Sequence, residues 1–340
     1  MKPVPIRFHA NLLPMYFPDR QPPFSEYFQD ILNEVTLAEE LGFEGFWFTE
    51  HHFLLYGGPI PNPAVFISAA AARTSRIRLG SAISILPIHH PIQTAEDYAM
   101  ADAISGGRLE FGIGRGNTQI DYDVYGVDRE ESRARFEEAG EIIAGAWSRE
   151  CFRHQGRFWR FDEVTIEPRP AQQPRPPIWV AGNSEESGLW AGRNGFDLMS
   201  VAHTFPPERA RVGVDAWKAG LAERGETASQ RRIQLLVRVW VDEDGDEARE
   251  TALEALRQYD QLASIGRNRS MLRLDDPETM RAQGRNIYGN PEHCIQGIRN
   301  AAAHFEFDTL ACVFNWGGIP HDQVTRAMRL FAKEVVPAFA

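Results

Sequence analysis

Residues 77–116, IRLGSAISILPIHHPIQTAEDYAMADAISGGRLEFGIGRG, constrain the fold more than any other part of the chain. Residues 77–86 are β-branched and apolar, the pattern of a strand buried on both faces. Pro87 ends the run. Pro91 suits the first position of a helix, where its missing N–H goes unused. Ile92, Ala95, Ala99 and Ala103 keep a helical spacing as far as Gly106-Gly107, and residues 109–113 open another buried strand. A strand, a crossover helix and a second strand of these lengths form one βαβ unit, which requires a parallel sheet. His89, His90, Arg115 and Asn117 all fall just past strand C-termini.

The rest of the chain repeats this arrangement. Strands are expected at 6–13, 46–49, 178–181, 197–201, 233–241 and 309–314, nearly all followed by a helix. Ser25 is positioned to cap the first of these helices, whose apolar stripe is Phe28, Ile31, Leu32, Val35, Ala38 and Leu41. Residues 152–166 look like a hairpin. With the two strands of the opening unit the count is eight. Eight strand–helix repeats predict an α/β chain closed into a (β/α)8 TIM barrel, one domain over 1–340, with insertions in the βα loops. The largest is expected after strand 7, where residues 265–290 hold several Arg and few apolar positions and read as an insertion or lid. A barrel of this kind carries its site at the C-terminal rim. Asn11, Glu50, His51, His52, His89, Arg115, Asn117, Asn183, Ser184, His203 and Asn315 would sit there.

Composition excludes several functions. A chain of 340 residues, 43% hydrophobic and 24% charged, has ample core for one barrel. Its net charge of −11, without a Lys/Arg cluster, argues against nucleic acid. Three widely spaced cysteines suggest neither a disulfide framework nor a zinc site, and fit a reducing cytoplasm. No apolar run approaches a membrane span, and the first residues do not read as a signal peptide.

Three groups of residues can do chemistry. On a continuing strand Glu50 and His52 share one face and His51 the other, so one imidazole can face the cavity for proton transfer while its neighbour braces the rim. The same residues also fit two histidines satisfied by loop backbone and Glu50. A metal site is not expected, because adjacent histidines lack the i, i+4 spacing and no HExxH occurs. Gly112-Ile113-Gly114-Arg115-Gly116 fails the dinucleotide pattern, since Asn117 stands where its last Gly belongs. It fits either close approach of a ligand with Arg115 on an anion, or a tight exit turn with a solvated Arg. Gly182-Asn183-Ser184 leads into a helix and fits an N-cap or a phosphate site, with Glu185 and Glu186 already complementing the dipole. Met15, Tyr16, Phe17, Phe53, Leu54, Leu55, Tyr56 and Trp316 crowd the same rim and fit a pocket lining or loop packing equally.

Glu50-His51-His52-Phe53, Leu79-Gly80-Ser81-Ala82, Leu86-Pro87, His90-Pro91, Ala95-Glu96-Asp97, Gly106-Gly107-Arg108-Leu109, the GIGRG run, Tyr125-Gly126 and Gly317-Gly318-Ile319-Pro320-His321 together resemble the bacterial luciferase-like flavin-dependent oxidoreductases. The resemblance covers most of the chain and is weakest over 265–290. It implies a barrel that binds reduced FMN non-covalently at its rim. Carried over, Arg115 and Asn117 lie on the phosphate side, with Gly182, Asn183 and Ser184 completing the phosphate site. Ala82–Ile83 would be a non-prolyl cis peptide beneath the isoalloxazine, Glu50 would stand among the cofactor-binding positions, and His51 would be the catalytic proton handler. The implied reaction is monooxygenation. A separate flavin reductase supplies reduced FMN, O2 adds to give a flavin 4a-hydroperoxide, and a small apolar substrate is oxygenated. The family also includes enzymes that transfer hydride with a deazaflavin coenzyme, and a non-catalytic flavin-binding protein is a further alternative. The resemblance implies a homodimer. Gly114 stands where the light-emitting catalytic subunit has a reactive cysteine, which points away from bioluminescence.

Overall fold

The computed structural model describes residues 6–53, 59–265 and 275–339. In chain order its strands are β1 (Arg7–Leu12), β2 (Gly45–Phe48), β3 (Arg78–Ser81), β4 (Ser84–Ile85), β5 (Leu109–Gly114), β6 (Phe152–Gln155), β7 (Arg160–Val164), β8 (Ile178–Ala181), β9 (Asp197–Val201), β10 (Ile233–Val241), β11 (Asn286–Gly289) and β12 (Thr309–Asn315). Between them run α1 (Phe24–Glu40), α2 (Pro63–Ala71), α3 (Pro91–Ser105), α4 (Gln119–Tyr125), α5 (Ser132–Ser148), α6 (Glu185–Arg193), α7 (Pro207–Glu223), α8 (Gly245–Ile265), α9 (Pro277–Ala282), α10 (Pro291–His304) and, last, α11 (His321–Leu330).

Eight strands close a parallel barrel in the order β1-β2-β3-β5-β8-β9-β10-β12, with β12 returning to β1. This is the expected (β/α)8 architecture. Strand alternation sorts the side chains. On β10, Leu235, Val237 and Val239 join the apolar layer under the helices. Gln234, on the opposite face, lies beside His9 inside the barrel. The lower interior is a polar plug. Glu110 is fully buried, where an isolated carboxylate would cost several kcal/mol. It is held by Arg232 (2.8 and 3.0 Å), by Trp179 Nε1 (2.6 Å) and by Arg78. Above it, Trp47, Trp179 and Met199 form a separate apolar layer that closes the barrel to solvent from below.

Three expectations need correction. Residues 77–86 are not one strand: β3 stops at Ser81 and β4 resumes at Ser84, and residues 86–88 form a short 3-10 turn. Helix α1 begins at Phe24 with Pro23 at its N-cap and no side-chain cap, so Ser25 lies inside the first turn. Part of 265–290 belongs to the sheet. Strand β11 pairs with the upper half of β10, from Arg238 to Val241, beyond the stretch that pairs with β9. The sequence hides it because four residues, Asn-Ile-Tyr-Gly, are too few for an alternation to register. Helix α9 precedes it, and residues 266–274, where a lid was expected, lie outside the described residues. The connection after β5 is also elaborate, holding α4, α5 and the β6–β7 hairpin. Among the described residues no helix is long and apolar enough to cross a membrane.

Candidate active site

The interruption between β3 and β4 forms the floor of the C-terminal mouth. The peptide joining Ala82 to Ile83 is cis, as the resemblance implies. Ala82 N–H donates to Phe48 O (2.7 Å), and Ala82 and Ile83 both pack on the Trp47–Trp179–Met199 layer. On the adjacent strand, a Cβ at Gly114 would stand 2.6 Å from Ile83 Cδ1. Gly114 therefore lets Ile83 lie against β5, and a cysteine there would displace it.

Beside this floor, where β2 ends, Glu50 and His52 meet as alternation predicts. Glu50 Oε1 accepts from His52 Nε2 (2.9 Å) and from His89 Nε2 (2.6 Å), and its Oε2 accepts from Ile85 N–H (3.1 Å). His52 Nδ1 faces the Tyr125 hydroxyl at 3.2 Å. His89, half-buried, belongs to this group although it is far from Glu50 in sequence. Burial alone would push the Glu50 carboxyl up, but the hydrogen bonds from His52 and His89 outweigh it and hold the pKa down at about 2. Burial works to lower His89, and the hydrogen bond to Glu50 raises it above 6.5. Glu50, His52 and His89 are close enough to share a metal ion. Both Nε2 contacts, however, are hydrogen-bond lengths to one carboxylate oxygen, an arrangement that uses N–H groups rather than lone pairs.

This contact has a definite pH signature. Glu50's depressed pKa stabilises the fold above about 4.5, and that contribution is lost as pH falls toward 2. His89's raised pKa contributes fully below 6.5 and is lost as pH rises through its folded value. The difference in thermal midpoint between the wild type and Glu50→Gln is therefore expected to be largest between pH 4.5 and 6.5 and to shrink on both sides. A difference independent of pH in a melting series would show that the contact is not ionic.

His51 stands apart from that group. Its N–H donates to Ile60 O (3.1 Å), and its side chain is only partly buried. Burial lowers its pKa to about 4, against the opposing pull of Glu50. At neutral pH it is an uncharged imidazole with one N–H and one lone pair.

The third feature is a cluster of cations at the mouth of β5. Arg115 and Arg129 line a cavity of about 640 Å³ together with Gln119, Ser132 and the carboxylates of Asp123, Asp128 and Glu130. Arg115 Nη1 approaches Ser132 Oγ (3.5 Å), and the Arg115 carbonyl accepts from the Tyr122 hydroxyl. Burial lowers the Arg115 pKa, and the charge of Arg133 on α5 lowers it further. Arg133 Nη2 reaches Ser187 Oγ (3.5 Å) and Glu186 (3.6 Å). Ser184 caps α6: its Oγ accepts from Ser187 N–H (3.3 Å) and donates to Ser187 Oγ (3.1 Å). Two guanidiniums, two hydroxyls and a helix N-terminus suit a phosphate. Arg133 and Ser187 escaped sequence reading because the first part of α5, from Arg133 to Glu141, is densely charged and nothing in its spacing marks one Arg.

Other expected residues are placed differently. Asn183 Oδ1 accepts from Ser200 Oγ (2.9 Å), which turns its side chain toward β9. Gly182 N–H donates to Met199 O (3.1 Å) and continues the sheet. Asn117 is exposed and takes a hydrogen bond from Thr118 (3.3 Å). Asn315 Nδ2 donates to the buried Glu34 (3.0 and 3.3 Å), which His321 also contacts (3.0 Å). Met15, Tyr16 and Trp316 are buried, Phe53 is exposed, and Leu54, Leu55 and Tyr56 lie outside the described residues.

Comparison with known proteins agrees with this geometry. The family model "luciferase-like monooxygenase" matches residues 9–306. The oxygenase component of the flavin-dependent trigonelline monooxygenase of Acinetobacter baylyi is 27% identical over 339 residues, covering 93% of this chain and 91% of that protein. The crystal structure of monooxygenase RslO1 from Streptomyces bottropensis superposes with a TM-score of 0.91 at 31% identity, covering 98% of this chain and 100% of that one. The oxygenating constituent of 3,6-diketocamphane monooxygenase of Pseudomonas putida, solved with FMN, gives a TM-score of 0.78 at 20% identity over 98% of each chain and so shares the fold. The matched span, the closed barrel and the cis peptide on its floor agree: this chain belongs to the luciferase-like monooxygenase family.

Proposed function

We propose that this protein is the oxygenase component of a two-component monooxygenase, taking reduced FMN from a separate flavin reductase and using O2 to oxygenate a small, largely apolar organic molecule. The observation that carries the reading is the pairing of a cation and hydroxyl cluster (Arg115, Arg133, Ser184, Ser187) with a flat floor at Ala82–Ile83, both on the C-terminal side of neighbouring strands. One end suits a phosphate, the other a planar ring. The names of the relatives support the same reaction.

In this reading Arg115 and Arg133 hold the phosphate through charge-assisted hydrogen bonds, and Ser184 and Ser187 orient it at the N-terminus of α6. Ala82 and Ile83 support the ring, and Gly114 leaves the space that lets Ile83 do so. Bound reduced FMN supplies the electrons and the centre that reacts with oxygen. His51, neutral and partly exposed, holds or moves a proton beside that centre. Glu50, His52 and His89 keep the rim rigid around it. The Trp47–Trp179–Met199 layer keeps water from entering through the barrel. Exposed Val65, Met100 and Ile104 on neighbouring helices α2 and α3 support a homodimer joined there.

Titration of the purified protein with FMN, riboflavin and the deazaflavin coenzyme tests the reading. FMN is expected to bind tightest, and riboflavin more weakly because it lacks the phosphate. Tight deazaflavin binding without FMN binding would instead make the protein a hydride-transfer enzyme.

A further inference from the structure

Four neighbouring positions of the barrel interior meet on one level near the C-terminal mouth. Asn11 on β1 is in register with Val313 on β12, and Val313 with Arg238 on β10. On the other side, Val201 of β9 is in register with Leu236, so His203 and Arg238 each lie two residues further on. Arg238 faces inward, because it shares the face of β10 that carries Gln234.

Three of these four side chains are polar, and each has polar atoms without a hydrogen-bond partner among the described residues. Arg238 is fully buried, and Nε, Nη1 and Nη2 have no hydrogen-bond partner among the described residues. Both amide atoms of the buried Asn11 and Nδ1 of the buried His203 are in the same condition. Arg238 is covered by rings instead, Tyr259 of α8 at 3.8 Å and Trp316 at 5.7 Å. The nearby Arg285 shows what a satisfied guanidinium looks like here: it donates to Ala202 O (2.9 Å) and pairs with Asp275.

A ring face attracts a guanidinium but leaves its in-plane N–H groups unused. A buried charge with all its donors idle is destabilising, and folds keep such groups where a ligand completes them. Arg238 also lies on the seventh barrel strand, across the barrel from the third strand, whose end carries Ala82–Ile83. The cations suited to the flavin phosphate follow the fourth strand. Arg238 therefore faces the opening from the side away from the flavin floor.

We propose that Arg238 binds a carboxylate on the substrate, with the amide of Asn11 donating to the same group and Tyr259 and Trp316 holding the guanidinium plane. This rests on the flavin monooxygenase reading, and it narrows the substrate to an organic acid with an apolar body. The planar fork of Arg matches a carboxylate with two parallel hydrogen bonds.

The test uses thermal unfolding of the full chain with and without FMN, with excess sodium benzoate as the probe and benzamide as its uncharged control. The wild-type midpoint is expected to rise with benzoate by at least about 2 °C and to stay unchanged with benzamide. Arg238→Met is expected to lose the benzoate shift while its ligand-free midpoint equals or exceeds the wild-type value. Arg238→Lys keeps the charge without the fork and is expected to retain a smaller shift. Absence of a benzoate shift in the wild type, an equal shift with benzamide, or a full shift in Arg238→Met overturns the proposal. So does a lowered midpoint in both variants, which would make Arg238 a structural residue. FMN titration of the same samples separates the two readings. Normal FMN binding with no benzoate effect removes the carboxylate site alone, whereas no FMN binding with an intact benzoate shift removes the flavin reading and leaves the anion site.

Discussion

Replacing His51 by alanine is expected to shorten the life of the oxygen-reacted flavin by about tenfold or more while changing FMN affinity less than about threefold. The first part follows from the position of the side chain. His51 is separate from the Glu50–His52–His89 group, partly exposed at the end of β2, and neutral at pH 7 because burial lowers its pKa to about 4. A positioned imidazole contributes on the order of 10²–10⁴ to proton transfer, and its loss lets a reactive oxygen species decay. An anion bound alongside would raise this pKa toward neutrality and make the imidazole a better base. The second part follows from the phosphate cluster, whose members come after the fourth and fifth barrel strands, whereas His51 comes after the second. Rapid mixing of the reduced, FMN-loaded variant with oxygen, together with an FMN titration, reads both quantities. If FMN binding collapses along with the oxygen reaction, His51 is a structural residue of the rim.

Arg115→Ala combined with Arg133→Ala is expected to weaken FMN binding by about 10²–10³-fold and to leave riboflavin binding nearly unchanged. Hydrogen bonds to a charged group are each worth about 1.5–3 kcal/mol, about 10–150-fold in affinity. The two guanidiniums already feel each other's charge, so their effects on one phosphate should fall short of additive. The ligand-free double variant loses the contacts of Arg133 to Glu137 (3.3 Å) and Glu186 (3.6 Å) along with the repulsion between the two cations, so its melting temperature is expected to stay within about 2 °C of the wild-type value. Isothermal titration of FMN and riboflavin into the double variant checks the first expectation, and its melting temperature checks the second. Equal losses for FMN and riboflavin would place the phosphate elsewhere.

Much of this was legible in the chain because the relevant signals are periodic or local. The strands at 109–114, 178–181, 197–201 and 233–241 and the helix at 91–105 match the structure because buried strands read as apolar runs and Pro91 fixes a helix start. Glu50 and His52 meet because alternation carries past the end of β2. What escaped reading depends on distance in the chain. His89 reaches Glu50 only once β3, β4 and the short turn after them have folded back over β2. Arg133 reaches Ser187 only because α5 packs beside the start of α6. Arg238 reads as one of two polar residues in an otherwise apolar strand, and its meaning lies in what it lacks, which no spacing can show. Asn183 carries a contact of the same long-range kind: its neighbour Ser184 caps the helix, while Ser200 on the adjacent strand takes the amide.

A barrel that holds reduced FMN and controls its reaction with oxygen, as proposed, must show that control in the oxygen reaction itself. The most direct measurement is diode-array stopped-flow reoxidation of the reduced FMN complex across a series of oxygen concentrations, without substrate. Two phases are expected, a first whose rate rises with oxygen and a slower second that does not depend on it. A single oxygen-dependent phase, with the rate constant of free reduced FMN in the same buffer, would contradict the proposal.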